Sequence, residues 1–118
     1  MNLDGLSFQV SATASVGVVS SETRLKLVQR GLRVFGRYHG GSIERGCLVG
    51  RVRDHTLRFR YAQREKAGGI HGGRSICSLE VLPDGRLRLH EHFMWETRGG
   101  AGTNVFEQVS DASERGAR

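Results

Sequence analysis

Glu91 is the residue whose type and position most clearly indicate a chemical role. It stands in the run Leu89-His90-Glu91-His92-Phe93. Because alternate residues of a strand point to the same side, its carboxyl would share a face with Leu89 and Phe93. A lone carboxylate on an apolar face is unstable unless it is paired or protonated. Such a group can act as a general acid or base, or anchor a polar ligand. It can also be a structural carboxylate, paired with an arginine or a tyrosine hydroxyl.

A turn signal predicts which residues share that face. The segment Leu82–Arg86 carries proline, aspartate and glycine in the order of a type I turn with a glycine bulge. This register places Leu79 opposite Leu89, and Cys77 opposite Glu91. The predicted core face carries Cys77, Leu79, Val81, Leu87, Leu89, Glu91, Phe93 and Trp95. The solvent face carries Glu80 and Arg88 as an ordinary cross-strand ion pair, with Arg86, His90 and His92.

Aromatic side chains follow the same alternation and define a candidate ligand site. The pocket is predicted to be lined by Tyr38, Phe59, Tyr61, Cys77, Phe93 and Trp95, with Glu91 as the polar or catalytic group. The interior of a small barrel is either filled or holds one small ligand, and both possibilities stay open. The run Arg58-Phe59-Arg60-Tyr61 resembles a nucleic-acid-binding strand. Alternation puts its arginines and aromatics on opposite faces, so no nucleic-acid partner is predicted.

Short alternating runs separated by turn residues must position these side chains. They predict an all-β fold, a single antiparallel up-and-down barrel of about eight strands without a convincing helix. The glycine-rich segment Arg64–Arg74 is predicted to be a flexible loop or lid over one mouth. Residues 1–109 would form the barrel domain and residues 110–118 a frayed tail. The predicted strands are Leu6–Thr13, Thr23–Gln29, Leu32–His39, Ser42–Arg53, Thr56–Gln63, Ser75–Leu82, Arg86–Thr97 and Thr103–Val109.

The sequence motifs give little support for a metal site or a cofactor site. His90-x-His92-x-x-x-Glu96 partly resembles the metal motif of cupins, but no turn separates its histidines from its glutamate and the second cupin motif is missing. No lysine follows the glycines in the manner of a phosphate-binding loop, and no strand-to-helix unit carries a dinucleotide fingerprint. We therefore predict no metal and no cofactor. Cys47 and Cys77 do not form a C-x-x-C pair and are expected to be small buried hydrophobes.

Composition and charge limit which other classes of protein the chain could belong to. The chain has 118 residues, 37% of them hydrophobic, and no apolar run near the ~20 residues of a spanning helix, so neither disorder nor membrane insertion is predicted. The start MNLDGLSF does not resemble a signal peptide, which predicts a cytoplasmic protein. The net charge of +6 comes from arginines spread along the strands, as on a solvated outer face. Phe35 and Met94 fall on that face and predict a homodimer contact.

Two segments carry a resemblance to a known family. Tyr38–Gly50 reads YHGGSIERGCLVG and Leu79–Glu91 reads LEVLPDGRLRLHE, with Phe59-Arg60-Tyr61 between them. Together they resemble a family of short bacterial proteins often labelled N-acetylglutamate synthase. The resemblance covers about residues 5 to 108 and transfers no catalytic residue. Phe93 stands where that family is expected to have tryptophan, whereas Trp95 matches.

The acetyltransferase label does not agree with the residues. Enzymes that use acetyl-CoA hold its pyrophosphate at a helix N-terminus, and no such loop precedes a helix here. The barrel pattern is more similar to calycins, the group of lipocalin-like and avidin-like binders of small ligands. The leading hypothesis is thus a barrel that binds a small, partly apolar molecule. The alternative is a cyclase- or isomerase-type enzyme with Glu91 as acid or base, and a filled structural barrel is a third possibility.

Overall fold

The computed structural model describes residues 2–13 and 18–109. In these ranges the chain forms eight antiparallel strands and no helix, and the strands close into one barrel in chain order. The fold prediction is confirmed. The predicted tail at 110–118 lies outside the described residues. The strands are β1 Ser7–Thr13, β2 Arg24–Arg30, β3 Arg33–Gly40, β4 Ile43–Arg53, β5 Thr56–Glu65, β6 Ile70–Val81, β7 Leu87–Trp95 and β8 Ala101–Gln108.

Strict alternation of side chains explains why these segments are strands. Along β7, Leu87, Leu89, Glu91, Phe93 and Trp95 are buried, while the residues between them are partly or fully exposed. The same two-residue period recurs along the other strands and assigns one face of the sheet to the lumen. A closed barrel also pairs β1 with β8, so that neither strand has a free edge.

The hairpin between β6 and β7 has the predicted register. Cys77 lies opposite Glu91, and Leu79 lies opposite Leu89. The turn closes with a 2.7 Å hydrogen bond from the Leu82 amide to the Arg86 carbonyl, and Gly85 has a φ of 89°. Positive φ is what the glycine bulge of this turn requires.

Val81 departs from the predicted core face, because its side chain is 57% exposed. It is the last residue of β6, where the lumen ends. Alternation thus gives the face of the sheet that Val81 belongs to, but not whether another element covers that face at the end of a strand.

The predicted loop over Arg64–Arg74 is wrong. Strand β5 runs on to Glu65 and β6 already begins at Ile70, so only residues 66–69 connect them. Gly72 and Gly73 lie inside β6 because the neighbouring strands leave no room for a side chain. A Cβ on Gly73 would lie 2.1 Å from the Met94 carbonyl oxygen. The glycines indicated flexibility in the sequence, but two of them serve close strand packing instead.

The two ends of the barrel differ. At one end Leu3 is fully buried, and the Leu3 amide donates a 2.8 Å hydrogen bond to Gln29. Above it the lower lumen is filled by the buried side chains of Phe8, Leu27, Val34, Leu57 and Leu89. The opposite end carries the β1–β2, β3–β4, β5–β6 and β7–β8 connections and is the one nearer the candidate site. No helix of the described residues is long and apolar enough to cross a membrane.

Candidate functional site

A cavity occupies the upper half of the lumen, between Glu91 and the end that carries the β1–β2 connection. Its unfilled volume is about 40 Å³, which is room for roughly three waters. The wall is mostly apolar, with a few polar groups that converge on it. The lining residues are Val18, Val19, Leu25, Tyr38, Leu48, Leu57, Phe59, Tyr61, Gln63, Cys77, Leu89, Glu91, Phe93, Trp95, Asn104 and Phe106.

Glu91 lies at the floor of this cavity and is only 6% exposed. Its two carboxyl oxygens each have a neighbour from an adjacent strand. Ser75 Oγ on β6 lies 2.6 Å from Oε2, and Asn104 Nδ2 on β8 donates a 2.8 Å hydrogen bond to Oε1. Thr13 Oγ1 in turn donates a 2.6 Å hydrogen bond to Asn104 Oδ1. The carboxyl group is therefore part of a fixed polar cluster that crosses β1, β8, β7 and β6.

Burial raises the pKa of Glu91 above its usual value, because desolvation disfavours the charged form. The hydrogen bonds from Ser75 and Asn104 act in the opposite direction but do not cancel this effect. Cys77 is buried as expected, whereas the expectation is wrong for Cys47, which is exposed because it lies on the outer face of β4. Burial likewise raises the pKa of the Cys77 thiol, directly opposite Glu91 on β6. Both groups thus favour their neutral forms.

Tyr38 reaches the cavity from β3 across a glycine. Gly46 lies opposite it on β4, and a Cβ there would be 2.3 Å from the Tyr38 ring. The phenol lies flat over this space and donates a 3.0 Å hydrogen bond to Gln63 Oε1. Burial, together with the charge of Glu91, raises the pKa of Tyr38. The hydroxyl is therefore a neutral donor with a fixed partner.

Tyr61 repeats this arrangement on β5, but its hydroxyl has no hydrogen-bond partner among the described residues. It lies opposite Gly73 on β6. Its ring packs edge-on against Trp95, with 5.4 Å between the ring centroids, and edge-on against Phe59. Desolvation raises the pKa of Tyr61 and keeps the group neutral. A buried hydroxyl without a partner is unfavourable, and it is available to a bound molecule.

The rim of the lumen carries a chain of polar contacts. The Arg98 guanidinium lies 4.6 Å from the centre of the Trp95 ring and forms a 2.7 Å ion pair with Glu65. Glu65 also accepts a 2.9 Å hydrogen bond from Gln63, the partner of Tyr38. Burial alone would raise the pKa of Glu65, but the hydrogen bonds from Arg98 and Gln63 lower it. The chain holds Trp95 and Tyr38 in place from outside the cavity.

Val18 and Val19 form part of the cavity wall at the end that carries the β1–β2 connection. Both line it and pack against the core cluster. The Val18 carbonyl accepts a 3.2 Å hydrogen bond from Ser42 Oγ on the β3–β4 turn. The connection between β1 and β2, and not the predicted Arg64–Arg74 segment, therefore contributes the side chains over the lumen.

All seven predicted site residues line this one cavity, namely Tyr38, Phe59, Tyr61, Cys77, Glu91, Phe93 and Trp95. Their role in binding or catalysis stays a prediction. Sequence reasoning missed Gln63, Ser75 and Asn104, which supply most of the hydrogen bonds. The signal was present, because each stands two residues from an inward-facing neighbour. These three residues were not predicted to face the lumen because polar side chains are normally exposed.

The partial cupin motif lies outside the lumen. His90 Nε2 is 2.8 Å from Glu80 on the outer face, and Glu96 receives two 2.8 Å hydrogen bonds from Arg60. The described residues hold no group of three or more histidine, cysteine or acidic side chains placed to bind a metal ion. The expected pair of Glu80 and Arg88 is present at 3.4 Å.

The sequence of the chain matches a known protein family. The family model for avidin-like proteins matches residues 1–109 of the chain. The search of curated proteins returned no match.

Proposed function

This chain belongs to the avidin-like family, whose barrels bind small ligands, and from that premise we propose that it binds a small, uncharged, largely apolar molecule in the upper lumen. The observation that carries the proposal is the Tyr61 hydroxyl, which is buried in the wall of an unfilled apolar cavity and has no hydrogen-bond partner within residues 2–13 and 18–109. A ligand that offers a hydrogen-bond acceptor or donor there would satisfy it while its apolar body covers the surrounding rings.

The charge state of the wall supports a neutral ligand. The ionisable groups of the lining are Tyr38, Tyr61, Cys77 and Glu91, and burial raises the pKa of all four. A higher pKa favours the uncharged form of each of these acids. Among the described residues no arginine or lysine lines the cavity, and Arg98 at the rim is already paired with Glu65, so an anionic ligand would lose its hydration without gaining a free cation.

The size of the cavity makes a further demand on binding. About 40 Å³ is far smaller than a drug-sized ligand pocket. Val18 and Val19 are the lining residues that do not belong to a strand. Moving them would therefore break fewer backbone hydrogen bonds than moving any other part of the wall. We infer that the ligand takes the place of these two side chains.

The hydrogen bonds of Glu91 favour binding over catalysis. Both of its oxygens are engaged by Ser75 and Asn104. A general acid or base must exchange its proton with a substrate at hydrogen-bond distance. We assign Glu91 the role of a neutral polar floor that orients the ligand. The cyclase- or isomerase-type enzyme is the alternative that turnover assays would reveal.

The chain provides its own reporter for the test. Trp95 is the only tryptophan and lies in the cavity wall. Native mass spectrometry of the freshly purified protein would identify a co-purified molecule, and titration of that molecule should change Trp95 fluorescence. Tyr61→Phe should weaken binding while Tyr38→Phe, whose hydroxyl already has a partner, should affect it less. A ligand that leaves Trp95 fluorescence unchanged, or that binds Tyr61→Phe as tightly as wild type, would contradict the proposal.

The same measurement addresses the predicted homodimer. Phe35 and Met94 are indeed exposed on the outer wall, at 39% and 47%. A subunit contact there stays a prediction, as does the cytoplasmic location. Native mass spectrometry counts the subunits directly.

A further inference from the structure

Four arginines form a row across the outer wall of the barrel. Arg30 lies directly opposite Arg33, Arg33 opposite Arg51, and Arg51 opposite Arg58, so the row crosses β2 to β5 at one level. All four are exposed, and none forms an ion pair with the described acidic side chains. Like charges directly opposite each other destabilise a sheet. An anion bound outside the barrel would therefore stabilise this arginine row.

An apolar row runs beside the arginine row. Val28 lies opposite Phe35, and Phe35 lies opposite Val49. Their side chains are 41%, 39% and 54% exposed. Each member stands two residues along its strand from an arginine of the first row, which separates the rows by about 7 Å. This part of the wall therefore presents a charged line and an apolar line in parallel.

The basic surface continues past β5. Val49 lies opposite Arg60, and Arg60 lies opposite Arg74. A broad outer groove contains Arg51, Arg53, Arg58, Arg60 and Arg74 in its lining, with Asp54 as its acidic lining residue. Glu96 pairs with Arg60 from β7's end and leaves the rest of the groove positive.

We propose that this face binds a single-stranded nucleic acid, with phosphates along the arginine row and bases against the apolar row. A single strand carries its negative charge on one side and its flat apolar bases on the other. Proteins that bind it combine a positive track for the backbone with an aromatic platform for the bases. Phe35 supplies that platform, and the net charge of +6 favours approach of a polyanion.

The sequence predicted no nucleic-acid partner, because the aromatics of the run Arg58–Tyr61 alternate with its arginines. Phe59 and Tyr61 do face the lumen and cannot stack on bases. Alternation within one strand could not show, however, that arginines of four strands stand side by side. It is the pairing register that brings them together and places Phe35 next to them.

Other occupants fit the two rows less well. An isologous contact centred on Phe35 would bring the arginine rows of two copies towards each other. A duplex keeps its bases stacked inside and would leave the apolar row uncovered. An acidic peptide could neutralise the arginines but has no flat groups for Phe35. These occupants become outcomes of the test.

The test is fluorescence anisotropy with a labelled oligouridine of about 12 nucleotides, a length within the site size of single-strand binders. Binding should weaken with salt, with a slope of log K against log salt of about −0.7 per phosphate contact, or about −2.8 for four arginines. Phe35→Ala should weaken binding roughly fivefold, at the lower end of the stacking contribution, without changing that slope.

The chain offers a matched control pair on the same two strands. Arg51→Gln with Arg58→Gln removes two opposed arginines of the row, and the slope should shrink by about 1.4. Arg45→Gln with Arg64→Gln removes another directly opposed, exposed pair at the other end of β4 and β5. It changes the net charge equally and should leave the slope close to that of wild type.

Several results would overturn the proposal. These are no binding at low salt, equal losses in the two double variants, or equal affinity for a duplex or for polyglutamate. A dimer that Phe35→Ala dissociates, without oligonucleotide binding, would assign the face to a second copy. Because all of these substitutions are on the outer wall, the variants should keep the circular dichroism spectrum of wild type, which shows that they remain folded.

Discussion

Asn104 on β8 lies directly opposite Glu91 on β7, and its side-chain amide donates a 2.8 Å hydrogen bond to the carboxyl group. On the other side, Ser75 of β6 lies 2.6 Å from the second oxygen. Three adjacent strands thus hold one acidic group at the floor of the cavity. This explains how a carboxyl group can stay buried among apolar side chains without a cation.

Glu91→Gln should change how stability depends on pH. Because burial raises the pKa of Glu91, the folded protein retains a proton that the unfolded chain releases near pH 4.5. Wild-type stability therefore falls as the pH rises from about 4.5 to the raised folded pKa, by up to about 1.4 kcal/mol per pH unit. The glutamine variant lacks this loss, so its stability relative to wild type should increase through that window and then level off.

Urea unfolding at a series of pH values measures this difference, since the other titrating groups are common to both proteins. A difference that stays constant from pH 4 to 8, or that decreases with pH, would show that Glu91 is not destabilised in its charged form. The same variant should keep ligand affinity within a small factor. A loss of turnover instead would support the enzyme alternative.

The two lumen tyrosines should respond oppositely to loss of the hydroxyl. Tyr38→Phe removes a hydrogen bond and leaves Gln63 Oε1 without its donor, so we expect a loss of about 1–2 kcal/mol. Tyr61→Phe removes a hydroxyl that has no partner in the described part of the chain, and we expect no loss, or a gain of up to about 1 kcal/mol. Urea unfolding of the ligand-free proteins compares them, and equal destabilisation would mean that the Tyr61 hydroxyl has a partner.

Smaller side chains at positions 18 and 19 should open the cavity. Val18→Ala with Val19→Ala removes methyl groups that cover the lumen, at an expected cost of about 1–2 kcal/mol because both residues are only partly buried. A neutral apolar fluorophore such as Nile red should bind the variant more tightly than wild type. Val49→Ala, at an exposed position on the outer wall, provides a control that should leave dye binding unchanged. Unchanged dye binding in the first variant would mean that these valines do not limit access.

Gly73→Ala should destabilise the barrel by about 2–3 kcal/mol. Its Cβ would lie 2.1 Å from the Met94 carbonyl oxygen and 2.7 Å from the Tyr61 hydroxyl, and the backbone atom cannot move aside. Gly99→Ala is the matched control, because no atom lies within 4 Å of the new methyl group there. Thermal unfolding followed by circular dichroism measures both, and similar midpoints would contradict the close packing described for β6.

Local patterns sufficed for much of the fold and for half of the site. The two-residue period around Glu91 and the Pro83-Asp84-Gly85 turn gave the register of one hairpin and the inward direction of the aromatics. The wrong predictions arose where one residue type can serve two different structural roles. Gly72 and Gly73 can mark a flexible loop or a close strand contact, and only the neighbouring backbone distinguishes these.

Other features depend on pairs that are far apart in sequence. The partners of Glu91 lie 16 and 13 residues away on two different strands. The arginine row requires the registers of β2 to β5 together. Neither can be obtained from one strand alone, whereas a turn between adjacent strands can.

The pairing of β1 with β8 governs when the cavity can exist. Residues near position 10 must meet residues near position 106, so the last strand has to be synthesised before the wall is complete. Contacts of such long sequence separation form late and slowly. Asn104 belongs to β8, so a nascent chain without this strand would expose its apolar interior to chaperones and proteases. Glu91 would then also lack the hydrogen bond from Asn104. The cavity is thus complete only once β8 has paired with β1.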